Sequence, residues 1–216
     1  MSHVIRARAV LLDMDGTLVD STAVVERLWL EWAEPHGLDR DFVLSVVHGR
    51  QGHQSMAIML PERDHEINLR ENLEMLARES ADVDGVVEIV GAALFLKSLE
   101  GLPHAIVTSA DVALMTARMQ AAALTVPTLT ITAESVTASK PDPEGFLKGA
   151  EALGVEPADC VVFEDSEAGI QAGLAAGMRV IGVGGHAASA NATYSVHDLT
   201  QVKVAAVDGE IELTID

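Results

Sequence analysis

Five short apolar runs rich in β-branched residues, three of which stop abruptly at polar side chains, constrain the fold of this 216-residue chain more than any other feature. They occupy residues 9–12, 105–107, 129–131, 161–163 and 180–183. Short runs without polar alternation read as strands buried on both faces. Helical patterns such as "DVALMTARMQAAAL" and "PEGFLKGAEALGV" separate the later runs, so from about Val86 onward the chain alternates strand and helix. That alternation predicts an α/β fold with a doubly wound parallel sheet covered by helices. The polar stops are Asp13 and Asp15, Thr108 and Ser109, and Glu164 and Asp165. All follow the C-terminal ends of strands, where open α/β sheets bind their ligands.

Residues 20–84 break the pattern: "AVVERLWLEWAEPHGL", "RDFVLSVV" and "HEINLRENLEMLARESA" are helical, with no strand between them. The expected organisation is a core domain over 1–19, a helical cap over 20–84 and the rest of the core over 85–216. The chain would cross between the two at 19–21 and 84–85. The tail "KVAAVDGEIELTI" alternates around Asp-Gly and predicts a hairpin at the sheet edge. Trp29 and Trp32, spaced along one helix with Val25 and Leu28, are expected to pack the cap.

Composition narrows the partners. With 33 acidic against 14 basic residues the net charge is −19, which opposes nucleic acid and anionic membrane surfaces. No run is long enough to span a bilayer or to serve as a signal peptide, and the single cysteine, Cys160, cannot form an internal disulfide. A soluble cytoplasmic protein is expected, monomeric by default with a dimer as the alternative. An anionic small substrate would need local positive charge, which gives weight to each well-placed Lys, Arg or bound cation.

Asp13 and Asp15 stand two apart in extended chain and so project the same way. One carboxylate can attack phosphorus while its neighbour gives a proton to the departing oxygen and later takes one from water. A calcium loop is the competing reading of D-x-D, but it needs glycine at position six and Glu at twelve, where this chain has Gly16 fourth and Val24 twelfth. An isolated strand ending in an Asp-Gly turn is the plainer alternative. Lys140, followed by prolines, offers charge for phosphoryl oxygens, and the Glu164–Asp165 pair offers hard oxygen ligands. With Asp13 these would suit Mg2+, with Glu164 bound directly or through water.

The ordered series D-x-D-G-T at 13–17, Thr108 at a strand end, Lys140-Pro141 and Glu164-Asp165-Ser166 resembles the four motifs of the haloacid dehalogenase-like hydrolases. The resemblance spans nearly the whole chain and implies a Rossmann-like core with a small α-helical cap. It further implies that Asp13 is the phosphoryl-accepting nucleophile and Asp15 the acid/base and a backbone metal ligand. Thr108 and Lys140 would be phosphate clamps, and Glu164 with Asp165 magnesium ligands. Within the family, the chain is similar to the sugar (hexitol) phosphatase branch, with its 2-deoxyglucose-6-phosphate and β-phosphoglucomutase-like relatives. The implied activity is that of a Mg2+-dependent phosphoric monoester hydrolase acting on small sugar or polyol phosphates. A phosphosugar mutase and a non-catalytic ligand-binding module are the alternatives; Val25 stands where the mutases carry a cap-hinge histidine, and no lysine occurs in residues 20–84 to serve as a phosphonatase Schiff base.

In the cap, "VVHGRQGHQSM" reads as a substrate-recognition loop: Gly49 permits close backbone approach, and Arg50 and Gln51 offer donors, with Ser109 expected to join them from the core. His48 and His53 are five apart rather than at the i, i+4 spacing of helical zinc ligands, and read as loop or surface residues. "VIGVGGHAAS" lacks the third glycine of a dinucleotide loop, which would fall at Ala187, and reads as a loop at a sheet end.

Overall fold

All four residues of β2 (Ala9–Leu12) are fully buried, with a parallel neighbour on each side: β5 (His104–Val107) and β7 (Cys160–Glu164). The computed structural model, which describes residues 2–185 and 191–216, extends this trio to a six-stranded parallel sheet. Its order is Thr130–Ile131 (β6), β5, β2, β7, Arg179–Val183 (β8) and Tyr194–Val196 (β9). Alternate side chains enter opposite cores, Val10 and Leu12 one, Ala9 and Leu11 the other, which is why the runs show no polar alternation. Helices α5 (Ala92–Ser98) and α6 (Val112–Ala121) cover the first face through Phe95, Leu114 and Met119. The second is covered by α7 (Glu144–Leu153) and α8 (Glu167–Ala175) through Phe146 and Ile170. Each fully buried Leu or Ile contributes about 1.5–3 kcal/mol, so the sheet is a stiff platform for whatever stands at its ends.

The chain leaves the core through β3 (Val19–Asp20) and returns through β4 (Val87–Glu88), which pair antiparallel as a short ribbon. Between them lie α1 (Thr22–Ala33), α2 (Arg40–Val46), α3 (Gly52–Met59) and α4 (His65–Ala81). Asp39 and Asp64 cap α2 and α4 by accepting from the Phe42 and Glu66 N–H groups. Trp29 and Trp32 meet edge to face at 5.5 Å, and Val25, Leu28 and Trp29 are buried in the same core. No helix among the described residues is long and apolar enough to cross a membrane.

Two sequence expectations need correction. The loop expected from Val46 to Met56 ends at Gly52, where α3 begins; Met56 and Met59 bury one side of this eight-residue helix, a period too brief to announce itself. The C-terminal hairpin, β10 (Val202–Val207) and β11 (Glu210–Ile215), forms, but away from the edge of the parallel sheet. Instead β11 pairs with β1 (His3–Ala7) to make a separate three-stranded antiparallel sheet. It turns Ile211, Leu213 and Ile215 inward, and Ile5 and Ala7 of β1 complete a buried face that two strands alone would leave open. The edge beyond β8 belongs to β9. Of the loop expected after β8, His186 to Ala190, including Ala187, lie outside the described residues.

Candidate active site

Strand order reverses at β2, because the next strand of the parallel sheet, β5, lies on one side and β7 on the other. The crevice above such a switch point is where open sheets bind ligands. Asp13 follows β2 directly and its N–H donates to the Phe163 carbonyl at 2.9 Å, which holds the first acid level with the end of β7. Thr108 follows β5 in the same way, its N–H donating to Ile131 at 2.9 Å. Its Oγ1 accepts from the Ala110 N–H at 3.1 Å and so keeps its own hydrogen for another acceptor.

Asp13, Lys140 and Glu164 are buried together. The Lys140 ammonium bonds Asp13 Oδ1 and, at 2.6 Å, Glu164 Oε1; the Phe146 ring centroid lies 5.2 Å away. Burial works against the Lys140 charge, but the two carboxylates outweigh it and hold the ammonium protonated above its usual range. Burial pushes the Asp13 carboxyl up to about 8, with Lys140 opposing and Glu164 adding to the rise. Asp165 is raised well above the usual range by burial first, then by Glu164 and Asp13. Oxygens of Asp13, Glu164 and Asp165 all lie within 4.8 Å of one another, with one lysine among three acids. A cluster of hard oxygen donors with more negative than positive charge can hold a metal ion.

The glycine beside the second acid has a steric role. Gly16 has φ +82°, and a Cβ there would lie 1.9 Å from Asp165 Oδ2, so only glycine lets the loop after β2 pass over Asp165. Glu164 is held from behind: its Oε2 accepts from Ser166 N–H at 2.7 Å and Ser166 Oγ at 2.9 Å, while Ser166 Oγ caps α8 by accepting from Gly169 N–H. "EDSEAG" is thus both a helix cap and part of the acidic cluster.

Asp15 lines the same crevice, with partners drawn from distant parts of the chain. Oδ1 accepts from Ser21 Oγ at 2.7 Å, and Oδ2 accepts from Arg118 Nη1 at 2.8 Å. Arg118, on α6, is buried and donates through Nη2 to Glu79 Oε2 at 2.8 Å, and Trp29 Nε1 donates to Glu79 Oε1 at 3.1 Å. Burial opposes the Arg118 charge, but Asp15 and Glu79 outweigh it and raise its pKa; burial also raises that of Glu79, against the pull of Arg118. A sequence signal for Arg118 exists: it follows Leu114 by four and Met115 by three, and so falls on the buried stripe of its helix.

Of the cap residues expected to read substrate, Gly49 and Arg50 line the cavity that holds Asp13, Asp15, Thr108 and Ser109. Gly49, with φ +78°, makes its close approach to the core: a Cβ there would fall 2.3 Å from Ser166 Oγ, and its carbonyl accepts from Ser109 Oγ at 3.4 Å. Gln51 is not brought to this cavity; it immediately precedes α3 and borders a smaller one with Thr108 and Lys140. His48 is exposed near Glu26, whereas His53 sits half-buried on α3 with its ring 5.9 Å from that of His65, a helical position rather than the loop or surface expected. Val25 is buried and lines the cavity without offering a proton donor.

A family model described as haloacid dehalogenase-like hydrolase matches residues 7–177. Hexitol phosphatase A of Escherichia coli K12 is 40% identical over 180 residues, covering 82% of this chain and 83% of that protein. Validoxylamine A 7'-phosphate phosphatase of Streptomyces hygroscopicus subsp. limoneus is 34% identical over 214 residues, covering 91% and 96%. The crystal structure of β-phosphoglucomutase from Clostridium difficile has the same fold, with a TM-score of 0.80 at 22% identity, covering 91% of this chain and 93% of that one.

Proposed function

We propose, from the premise that the chain belongs to the haloacid dehalogenase-like hydrolases, that it hydrolyses small sugar or polyol phosphate monoesters through a phosphoryl group carried on Asp13. It is a phosphoric monoester hydrolase, and the two relatives described above are by their names a hexitol phosphatase and a validoxylamine A 7'-phosphate phosphatase. One observation carries the mechanism: Asp13 stands at the strand-order switch point with the Lys140 ammonium between it and Glu164.

In the first step an Asp13 oxygen bonds to phosphorus as the bond from phosphorus to the sugar oxygen breaks, and that oxygen takes a proton from Asp15. In the second, water attacks phosphorus, Asp15 takes its proton, and the bond to Asp13 breaks to release inorganic phosphate. Lys140 and the free hydroxyl hydrogen of Thr108 serve the phosphoryl oxygens, which gain charge in transfer. The donor set fits Mg2+: Asp13 and Asp165 would hold it, with the Asp15 backbone carbonyl that the resemblance implies, and it would neutralise charge on Asp13 and on the phosphoryl group. Glu164, whose Oε1 accepts only from Lys140, would complete the acidic donor set. Arg50 and Gly49 face the sugar, and Val25 favours hydrolysis over return of the phosphoryl group to a second hydroxyl. The lone buried cysteine supports a reducing, cytoplasmic setting, and Lys140 supplies the local positive charge that an anionic substrate needs in a chain of net charge −19.

The test is turnover of p-nitrophenyl phosphate and of a hexitol 6-phosphate with Mg2+. Asp13→Asn is expected to lower kcat by about 10³-fold or more, and a chelator to abolish turnover reversibly. Near-normal activity in the variant would remove Asp13 as nucleophile, and activity indifferent to chelation would remove the metal.

A further inference from the structure

We propose that Arg118 is a positioning residue that ties the orientation of Asp15 to the seating of the cap. The proposal rests on the reading of Asp15 as the group that protonates the leaving oxygen. Arg118 belongs to the core helix α6, yet its two terminal nitrogens serve different domains: Nη1 bonds Asp15 of the core loop and Nη2 bonds Glu79 of the cap helix α4. Glu79 is fixed in turn by Trp29 Nε1 from α1. The other oxygen of Asp15 is held by Ser21, the residue immediately before α1. One oxygen of the acid is therefore held from the hinge, and the other by a core arginine whose second nitrogen is bonded to the cap.

Burying a guanidinium is costly unless its charge is matched, so this arrangement is a poor device for stability and a good one for registry. The planar fork sends two hydrogen bonds in fixed, divergent directions, which a lysine's single nitrogen cannot reproduce without drawing both carboxylates to one point. Glu79 matters as much as Arg118. It takes half of the guanidinium's attention, so Asp15 is aimed without being locked into an exclusive ion pair. Without Glu79, Arg118 would close on Asp15 alone; without Arg118, two carboxylates would face each other across the boundary between cap and core and repel. Asp15 is aimed only while α4 lies against α6, so a substrate that leaves the cap unseated meets a misdirected acid.

Leaving groups separate this role from mere structural support. Nitrophenolate departs without a proton, whereas the alkoxide of a hexitol 6-phosphate needs one. Arg118→Lys and Glu79→Gln are therefore compared with the parent and with Asp15→Asn on both esters, alongside thermal melting to confirm folding. Because Asp15 also serves the second step, which both esters share, the comparison is made on kcat/KM, which ends with departure of the leaving group: Arg118→Lys is expected to lose about 100-fold for the hexitol phosphate and about tenfold less for p-nitrophenyl phosphate. Glu79→Gln should be selective in the same direction and carries the test if Arg118→Lys does not fold. If Asp15→Asn shows the selectivity while both other variants lose the two substrates in parallel, or lose neither, the positioning role of Arg118 is overturned and the acid assignment stands. If Asp15→Asn shows no selectivity in kcat/KM, the acid assignment falls and takes the proposal with it.

Discussion

Replacing Gly16 by alanine tests whether the sequence D-G at the end of β2 is there for the metal cluster or only for the turn. Two costs add. At φ +82° an L side chain is strained by about 1–2 kcal/mol. The new Cβ would also stand 1.9 Å from Asp165 Oδ2 and 2.3 Å from its Cγ, so Asp165 must rotate away from Glu164 and Asp13 at a further cost of about 1–2 kcal/mol. Gly37→Ala is the control, since Gly37 has φ +63° but nothing within 4 Å of the added methyl. For a chain of this size about 2–4 °C is lost per kcal/mol, so Gly16→Ala should melt about 4–16 °C below the parent and Gly37→Ala about 2–8 °C below. Melting is followed by calorimetry across a magnesium titration. The midpoint of the Mg2+-induced rise should shift about 10- to 100-fold higher in Gly16→Ala only, as expected when a ligand loses its orientation. Equal melting of the two variants, with magnesium midpoints equal to the parent's, would refute the steric argument.

Two further outcomes are expected. The Glu144 carboxylate accepts from the Lys148 ammonium, the Ala138 N–H and the Thr137 hydroxyl and N–H, and these lower its pKa from 4.5 to about 2. Because the folded value is the lower one, its contribution is complete above about pH 4.5 and fades as the pH falls toward 2; the stability gap between parent and Glu144→Gln in urea should close over that window. Burial first, with Asp159 adding, raises the Cys160 thiol to about 11, so the native protein should not react with a thiol-specific disulfide reagent at pH 8 and the urea-unfolded protein should release one equivalent; rapid native labelling would contradict the burial.

The sequence by itself carried the parts of this protein whose cause is local. An apolar run buried on both faces looks the same wherever it is placed, which is why β2, β5 and β7 were legible with their terminal acids and hydroxyl. The helical period of α1 and α4 was equally legible, because a periodic stripe needs no knowledge of its partner. Tertiary structure alone decided what depends on who meets whom. The pairing of His3 with Ile215 joins the two ends of the chain, and neither strand's alternation names the other. Arg118, Asp15 and Glu79 read separately as a helix arginine, a loop acid and a cap-helix acid, 103 and 39 residues from one another's partner. Only the packing of α4 against α6 puts one guanidinium between two carboxylates, since electrostatic partnership is set by distance in space, which the order of residues does not encode.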